Sequence, residues 1–361
     1  MAPLVIEAQR RTTELHPIVC LSGQHREMLS QVTDHFGITA DLDLALMVPD
    51  QSLAELTSRA IAAIDQVIER QEPDCVVAQG DTSTVVAASM AAFYRRVPFV
   101  HVEAGLRTGN LNAPWPEEFN RRIVSVATSL HCAPTQRAAT ALLSEGYPAD
   151  QVRVVGNTVI DALLWTIHQE AAHPGPWQDQ YAMLGEQPMV LITGHRRENF
   201  GDRFQNICQA IGLLAKQFPE TQFVYPVHLN PRVQEPVHRL LAGQPNIHLR
   251  PPASYPEFIW LANRSNLILT DSGGVQEEAT FLGKPVLVMR TTTERQESVE
   301  VGLAELVGTS PQTIIHAVSR RLTEPSQSQH PRSTATANPY GDGHAATKIL
   351  DWMLERPWKT A

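Results

Sequence analysis

Short apolar runs recur along this chain, spaced so that a helix fits between one and the next, and a polar or glycine-bearing cluster follows most of them. In the first half, Pro17-Ile18-Val19-Cys20-Leu21, Cys75-Val76-Val77-Ala78, residues 97–101 and shorter runs at 130–132 and 152–155 read as buried strands. Between them the apolar positions fall three and four apart. That spacing predicts helices over 2–15, over about 52–69 with Ser52 and Glu55 in capping-box positions, up to Tyr94, and onward from Pro114-Trp115-Pro116-Glu117-Glu118. Gly23-Gln24-His25-Arg26-Glu27-Met28-Leu29 reads as a turn into a further helix. In the second half, strands are predicted at 189–193, 222–227, 247–250, 267–270 and 286–289, with helices at 204–217, 233–241, 256–262 and 275–282.

Strands that alternate with helices imply parallel sheets covered on both faces. Two such series predict an α/β chain of two doubly wound, Rossmann-like domains with a cleft between them. Residues 1–160 are the expected N-terminal domain, 161–340 the C-terminal domain, and 341–361 a closing helix. Residues 170–186 lose periodicity, and 325–340, rich in Pro, Ser and Thr, read as a loop before that last helix.

Composition narrows the partners. With a net charge of −9, the chain as a whole does not attract nucleic acid or an anionic membrane, so an anionic ligand must be held by local positive groups. The four cysteines, Cys20, Cys75, Cys132 and Cys208, are scattered and form no CxxC pair. That spacing argues against a zinc site or a disulfide framework and fits a reducing cytoplasm. No apolar run reaches membrane-spanning length, and Glu7, Arg10 and Arg11 break any signal-peptide pattern.

The candidate chemistry lies after the strands. Asp81, Glu103, His195, His228 and Ser272 each stand just beyond a predicted strand, where open parallel sheets bind ligands. In the stretch Thr270-Asp271-Ser272-Gly273-Gly274-Val275-Gln276-Glu277-Glu278, a strand enters a tight turn that opens a helix. Asp271 or Ser272 is a candidate cap for that helix. Gly273 and Gly274 leave backbone N–H groups open to a phosphate, and the helix N-terminus favours negative charge. Glu277 or Glu278 is placed to meet ribose hydroxyls. The whole stretch reads as a cradle for a nucleotide diphosphate, or as a turn that needs glycine for backbone reasons. The other positions also have plainer readings. Asp81 could serve as a helix cap, Glu117 and Glu118 could pair with Arg121 and Arg122 on a solvated face, and the histidines could be core residues.

Taken in order, these motifs carry a resemblance. Gln24-His25-Arg26-Glu27-Met28-Leu29, Gly80-Asp81-Thr82, His101-Val102-Glu103-Ala104-Gly105-Leu106-Arg107, Pro114-Trp115-Pro116-Glu117-Glu118, Gly156-Asn157-Thr158, Gly194-His195-Arg196-Arg197-Glu198, Asp271-Ser272-Gly273-Gly274 and Asn338-Pro339-Tyr340-Gly341-Asp342-Gly343 together resemble the bacterial non-hydrolysing UDP-N-acetylglucosamine 2-epimerases. The resemblance implies a GT-B-like fold whose last helix crosses back to the first domain. It also implies a cytoplasmic homodimer that interconverts UDP-GlcNAc and UDP-ManNAc for surface polysaccharide synthesis. The family's route is anti elimination of UDP and re-addition, with no redox cofactor and no metal.

By resemblance, Asp81, Glu103 and Glu117 are acid–base groups and His195 contacts the substrate or the departing diphosphate. Arg196, Ser272, Gly273, Gly274, Glu278 and Arg295 bind UDP. Gln24, Arg196 and His228 match a site where some members bind a second UDP-GlcNAc as activator, although Glu27 departs from the Gln of relatives. Arg290-Thr291-Thr292-Thr293-Glu294-Arg295 departs from the family's Arg-Asp pattern but keeps Thr293, Glu294 and Arg295. A GT-B glycosyltransferase, a hydrolysing relative and a truncated, inactive UDP-sugar-binding protein are the competing readings. Against the family pattern, the chain begins inside a helix, without the first strand and the Gly-Thr-Arg-Pro-Glu loop. From that pattern the chain is expected to be poorly stable or nearly inactive until upstream residues are added.

Overall fold

A computed structural model of the chain describes residues 1–23, 26–48, 51–323, 338–356 and 358. Gln24, His25 and residues 325–337 of the expected loop lie outside them. The chain divides into two compact units, Met1–Ala162 with Tyr340–Ala361, and Leu163–Pro339.

Among the described residues the first unit has six strands: β1 (Cys20–Leu21), β2 (Leu42–Asp43), β3 (Val76–Gln79), β4 (Phe99–Val102), β5 (Leu130–Ala133) and β6 (Val152–Val154). β3 to β6 lie side by side in chain order, all parallel, and β1 and β2 form a separate parallel pair. Alternate strand residues point to opposite faces. Phe99 therefore joins a cluster with Leu56, Ala60, Ile64 and Ile68 of the helix Leu53–Gln71. Val100, Val102, Leu130 and Cys132 join another with Leu4, Ala8 and the C-terminal helix Ala345–Leu354.

That last helix is tied to the first unit at its start. The Asp161 carboxylate accepts the backbone N–H groups of Ala345 at 3.2 Å and Ala346 at 2.8 Å. A carboxylate at a helix N-terminus meets donors that have no partner inside the helix. The capping box expected at Ser52 and Glu55 is present.

The second unit carries β7 (Met189–Thr193), β8 (Gln222–Pro226), β9 (Ile247–Arg250), β10 (Leu267–Thr270), β11 (Val286–Val288) and β12 (Ala304–Leu306). They form one parallel sheet in the order β12-β11-β10-β7-β8-β9. Val190, Ile192, Leu267 and Leu269 feed the core on one face, and Met189, Leu191 and Ile268 feed the core on the other. Both faces are thus covered, as near-continuous apolar strands require. The order reverses between β7 and β10: from β7 the chain steps outward to β8 and β9, then returns to build on the other side. Such a switch point leaves a crevice at the strands' carboxyl ends.

Several elements differ from expectation. The first helix is Ala2–Arg10 and stops short of residue 15, and the strand expected at 17–21 shrinks to Cys20–Leu21. Helices Gln136–Ser144 and Thr158–Ala172 and strand β12 lie outside the predicted elements. Thr158–Ala172 is apolar on most of its circumference, so no single stripe marks it. It runs through the expected domain boundary and into the stretch read as irregular. Among the described residues no helix is long and apolar enough to cross a membrane.

Candidate functional site

In the first unit the polar groups emerge from two adjacent strands. Gln79 ends β3 opposite Val102 of β4, so Gly80-Asp81 and Glu103 leave the sheet side by side. Gly80 has φ +85°, a conformation glycine adopts without strain. Glu103 has φ +65°, which costs a residue with a side chain about 1 kcal/mol or more. Strain of this kind concentrates where a side chain must be aimed. Gln79 Nε2 donates to Glu103 Oε2 at 3.3 Å. His101, fully buried on β4, lies 2.8 Å from the Gly80 carbonyl through Nε2. A carbonyl only accepts, so Nε2 carries the proton and His101 braces the turn from below. Burial lowers its pKa to about 4 and keeps it neutral.

Asp81 is not a plain helix cap. The Thr82 side chain makes no cap hydrogen bond to the helix Ser83–Tyr94, and the Asp81 carboxylate is bound elsewhere. Arg121, 2% exposed on the helix Glu117–Ala127, reaches Asp81 Oδ2 with Nε at 2.9 Å and Nη2 at 2.8 Å. Arg121 Nη1 also donates to Glu118 Oε2 at 3.0 Å. Asn120 Nδ2 donates to the Asp81 carbonyl at 2.7 Å.

Glu118 is fully buried and accepts the backbone N–H groups of Thr108 at 3.1 Å and Gly109 at 3.2 Å. The expected Glu–Arg pairing on this helix therefore exists for Glu118, but it is interior and links the helix to the Asp81 turn. Glu117 takes the first position of the helix, half-buried. Sequence spacing suggested only a solvated face for Arg121, because its partner lies 40 residues away.

In the second unit the switch point organises the site. Thr193 and Thr270 end β7 and β10 in register, with their hydroxyls 2.6 Å apart. The next residues on each strand are the Gly194–Glu198 loop and the Asp271–Gly274 turn. Asp271, fully buried, does not cap the helix Gly273–Phe281. Ser272 holds the cap position, without a side-chain cap bond. The Asp271 carboxylate instead accepts the backbone N–H of His195 at 3.1 Å, that of Arg196 at 3.0 Å, and Asn199 Nδ2 at 3.0 Å. It thus fastens the histidine loop to the glycine turn.

His195 stacks on His228 with ring centroids 5.2 Å apart. Asn230 N–H donates to His228 Nδ1 at 3.0 Å, which makes that nitrogen the acceptor and leaves the His228 proton on Nε2. Burial, Arg196 and His228 lower the pKa of His195, against the opposing pull of Asp271.

Beneath the turn lies a buried ion network. Arg290 donates to Glu198 at 2.8 Å and to Glu294 at 3.1 Å. Arg295 donates to Glu294 at 2.7 Å and to Glu277 at 2.8 Å. The pair Arg295–Glu294 packs directly under Gly273, where an added Cβ would lie 3.1 Å from Arg295 Cζ. Gly274 faces open space. Of the two carboxylates considered for ribose, Glu277 is bound to Arg295. Glu278, 5% exposed, accepts the Tyr255 hydroxyl at 2.9 Å. Burial raises the Glu278 pKa to about 7. Nothing in the local pattern sets Tyr255 apart, and Arg290 enters the sequence reading only as the start of the stretch that departs from the family pattern.

The first unit thus brings together Asp81 and Glu103, and the second brings together His195, Arg196, His228, Ser272, Gly273, Gly274, Glu278 and Arg295. Gln24 lies outside the described residues. Among the described residues no group of three or more His, Cys, Asp or Glu side chains is placed to hold a metal ion. A cavity of about 400 Å³ beside Phe200, Gln205, Arg232 and Arg239 includes none of the expected site residues.

Two parallel-sheet units, one with paired carboxylates at its strand ends and one with a glycine turn at its switch point, define an α/β protein of GT-B-like class. The family model for UDP-N-acetylglucosamine 2-epimerase matches residues 7–354. The UDP-N-acetylglucosamine 2-epimerase of Yersinia pestis is 48% identical over 97% of this chain and 93% of its own length. The crystal structure of UDP-GlcNAc 2-epimerase from Neisseria meningitidis bound to UDP-GlcNAc is 45% identical. It superposes with a TM-score of 0.94 over 99% of this chain and 96% of that one. The Methanocaldococcus jannaschii UDP-GlcNAc 2-epimerase in complex with UDP-GlcNAc and UDP is 30% identical, with a TM-score of 0.86 over 98% and 96%. The chain belongs to the UDP-N-acetylglucosamine 2-epimerase family and is an isomerase.

Proposed function

We propose that this chain interconverts UDP-GlcNAc and UDP-ManNAc by anti elimination of UDP to an unsaturated acetamido-glucal, followed by re-addition with the proton on the other face. The observation that carries the reading is the pairing of Asp81 and Glu103 at the ends of adjacent strands, each held by its own partner, Arg121 or Gln79. Carbon 2 has no carbonyl beside it, so proton removal there needs positioned acid–base groups on both faces of the ring. Asp81, Glu103 and Glu117 supply them.

His195 contacts the substrate or the departing diphosphate. Arg196 and the backbone N–H groups at Ser272, Gly273 and Gly274 stabilise the charge that develops as UDP leaves. Glu278 meets the ribose. Arg295 contributes by holding the turn from beneath, through Glu277 and Glu294. The chemistry asks for no redox cofactor or metal.

The unit Met1–Ala162 with Tyr340–Ala361 serves as the N-terminal domain and Leu163–Pro339 as the UDP-binding domain, against expected bounds of 1–160, 161–340 and 341–361. The enzyme acts in the cytoplasm and supplies ManNAc for surface polysaccharide. It works as a homodimer. Supporting a dimer, Phe93 and Tyr94 are 63% and 64% exposed at the end of the helix Ser83–Tyr94, and Phe119 and Val126 are 50% and 77% exposed on the helix Glu117–Ala127 packed against it. Arg196 and His228, with Gln24, are the candidate activator contacts.

Product analysis by NMR tests the reading. UDP-GlcNAc and UDP-ManNAc should both be present at equilibrium with UDP still attached. Accumulation of free N-acetylmannosamine would assign the chain to the hydrolysing reaction instead.

A further inference from the structure

We propose that Tyr255 is a positioning residue for Glu278: its hydroxyl fixes one carboxylate oxygen so that the other is presented to the ribose hydroxyls of the nucleotide. This inference rests on the reading of Glu278 as the ribose contact.

Tyr255 opens the helix Tyr255–Arg264, and Glu278 lies in the second turn of the helix Gly273–Phe281. Tyr255 Oη donates to Glu278 Oε1 at 2.9 Å. Among the described residues Tyr255 is the hydrogen-bond partner of Glu278, and Oε2 accepts from none of them. The nearby arginines do not neutralise it, since Arg295 is engaged by Glu277 and Glu294, and Arg290 by Glu198 and Glu294. A carboxylate this buried, with one oxygen pinned and one open, is set to receive a donor from a ligand.

Two neighbouring sugar hydroxyls supply such donors, and a nucleotide without them leaves the oxygen unmet in a dry setting, which is costly. Donation from Tyr255 also favours the ionised, accepting form against the burial that opposes it. Tyr255 and Glu278 together therefore select ribonucleotide over dideoxynucleotide. The core cluster packed around the Tyr255 ring keeps the hydroxyl in place.

Calorimetry with UDP and with its 2′,3′-dideoxy analogue tests this on the wild type, Tyr255→Phe and Glu278→Gln. Tyr255→Phe removes one oxygen and keeps the packed ring. It should weaken UDP roughly tenfold, the scale of one hydrogen bond to a charged group, and leave affinity for the dideoxy analogue unchanged. In turnover the loss should fall on KM rather than kcat. Equal weakening of both ligands overturns the proposal, because a general disturbance of the fold would do that. Unchanged UDP affinity in Tyr255→Phe, with Glu278→Gln weakened, also overturns it while the ribose reading stands. Unchanged affinity in Glu278→Gln removes the ribose reading and the proposal with it.

Discussion

Asp271 receives the backbone N–H of His195 on both carboxylate oxygens, each at 3.1 Å, from the far side of the β7–β10 pair. The same carboxylate holds Arg196 and Asn199, so the position of the histidine loop depends on one buried side chain. Asp271→Asn keeps the shape but points an N–H at a backbone donor. Because a shift of about 1 Å can cost roughly 100-fold in rate, kcat should fall by about that factor. Asp271→Ala leaves three donors unmet and should also lower the unfolding free energy by about 3 kcal/mol or more. Steady-state kinetics and denaturant melts check both.

Asp81→Asn, Glu103→Gln and Glu117→Gln should each reduce turnover roughly 100-fold or more, the scale of a positioned acid or base, while calorimetry still detects UDP binding. A variant that keeps near-normal turnover reduces its residue to a structural partner. Arg121→Met has a different expected outcome. It removes the charge partner of Asp81 and of the fully buried Glu118, which keeps only its backbone donors and the more distant Arg122, and removing one partner of a buried pair costs about 3–5 kcal/mol. Its melting temperature should therefore drop well below those of the carboxylate variants.

Gly273 and Gly274 separate a fold requirement from a ligand requirement. A Cβ on Gly273 would press on the buried Arg295–Glu294 pair, so Gly273→Val should lose both stability and UDP affinity. A Cβ on Gly274 would meet no described atom within 4 Å beyond its chain neighbours and its own helix backbone. Gly274→Ala should melt as the wild type does, and any loss of UDP affinity in it reports diphosphate packed against the turn. Paired thermal melts and calorimetry decide this.

His131 is fully buried on β5, with the Tyr147 ring tilted against it at 4.7 Å between centroids, and among the described residues neither ring nitrogen has a hydrogen-bond partner. Burial first, then His101 and Arg107, lowers its pKa to about 3. The folded state therefore binds fewer protons than the unfolded chain between about pH 6.5 and pH 3, and the stability present above that window is lost as pH falls through it. His131→Phe should be close to neutral at pH 7 and should flatten the acid limb. Urea melts across pH 4–7 compare the two proteins.

The alternation of apolar runs was enough to read two parallel-sheet units, and most strands of the second unit lie where the pattern put them. What the sequence hid follows from physical causes. Thr158–Ala172 is apolar nearly all round, so the stripe that marks a surface helix is absent. At the candidate site, positions after strands were legible because the chain's direction in a parallel sheet fixes which end faces a ligand. Their partners were not legible. Arg121 reaches Asp81 across 40 residues, and Tyr255 reaches Glu278 across 23. No local pattern encodes such a contact. Asp271 and Ser272 are both candidate caps in the sequence, because Asp or Ser commonly caps a helix, and the cap position falls to Ser272. In the fold a neighbouring strand end offers Asp271 several donors at once.

The central claim is proton exchange at carbon 2 by positioned carboxylates while the detached UDP stays bound. Incubation of the chain with UDP-GlcNAc in deuterated water, followed by proton NMR of the sugar, tests it most directly. The account predicts deuterium at carbon 2 in both epimers, with incorporation slowed roughly 100-fold or more in Glu103→Gln. Epimerisation with the original proton retained at carbon 2 would contradict it.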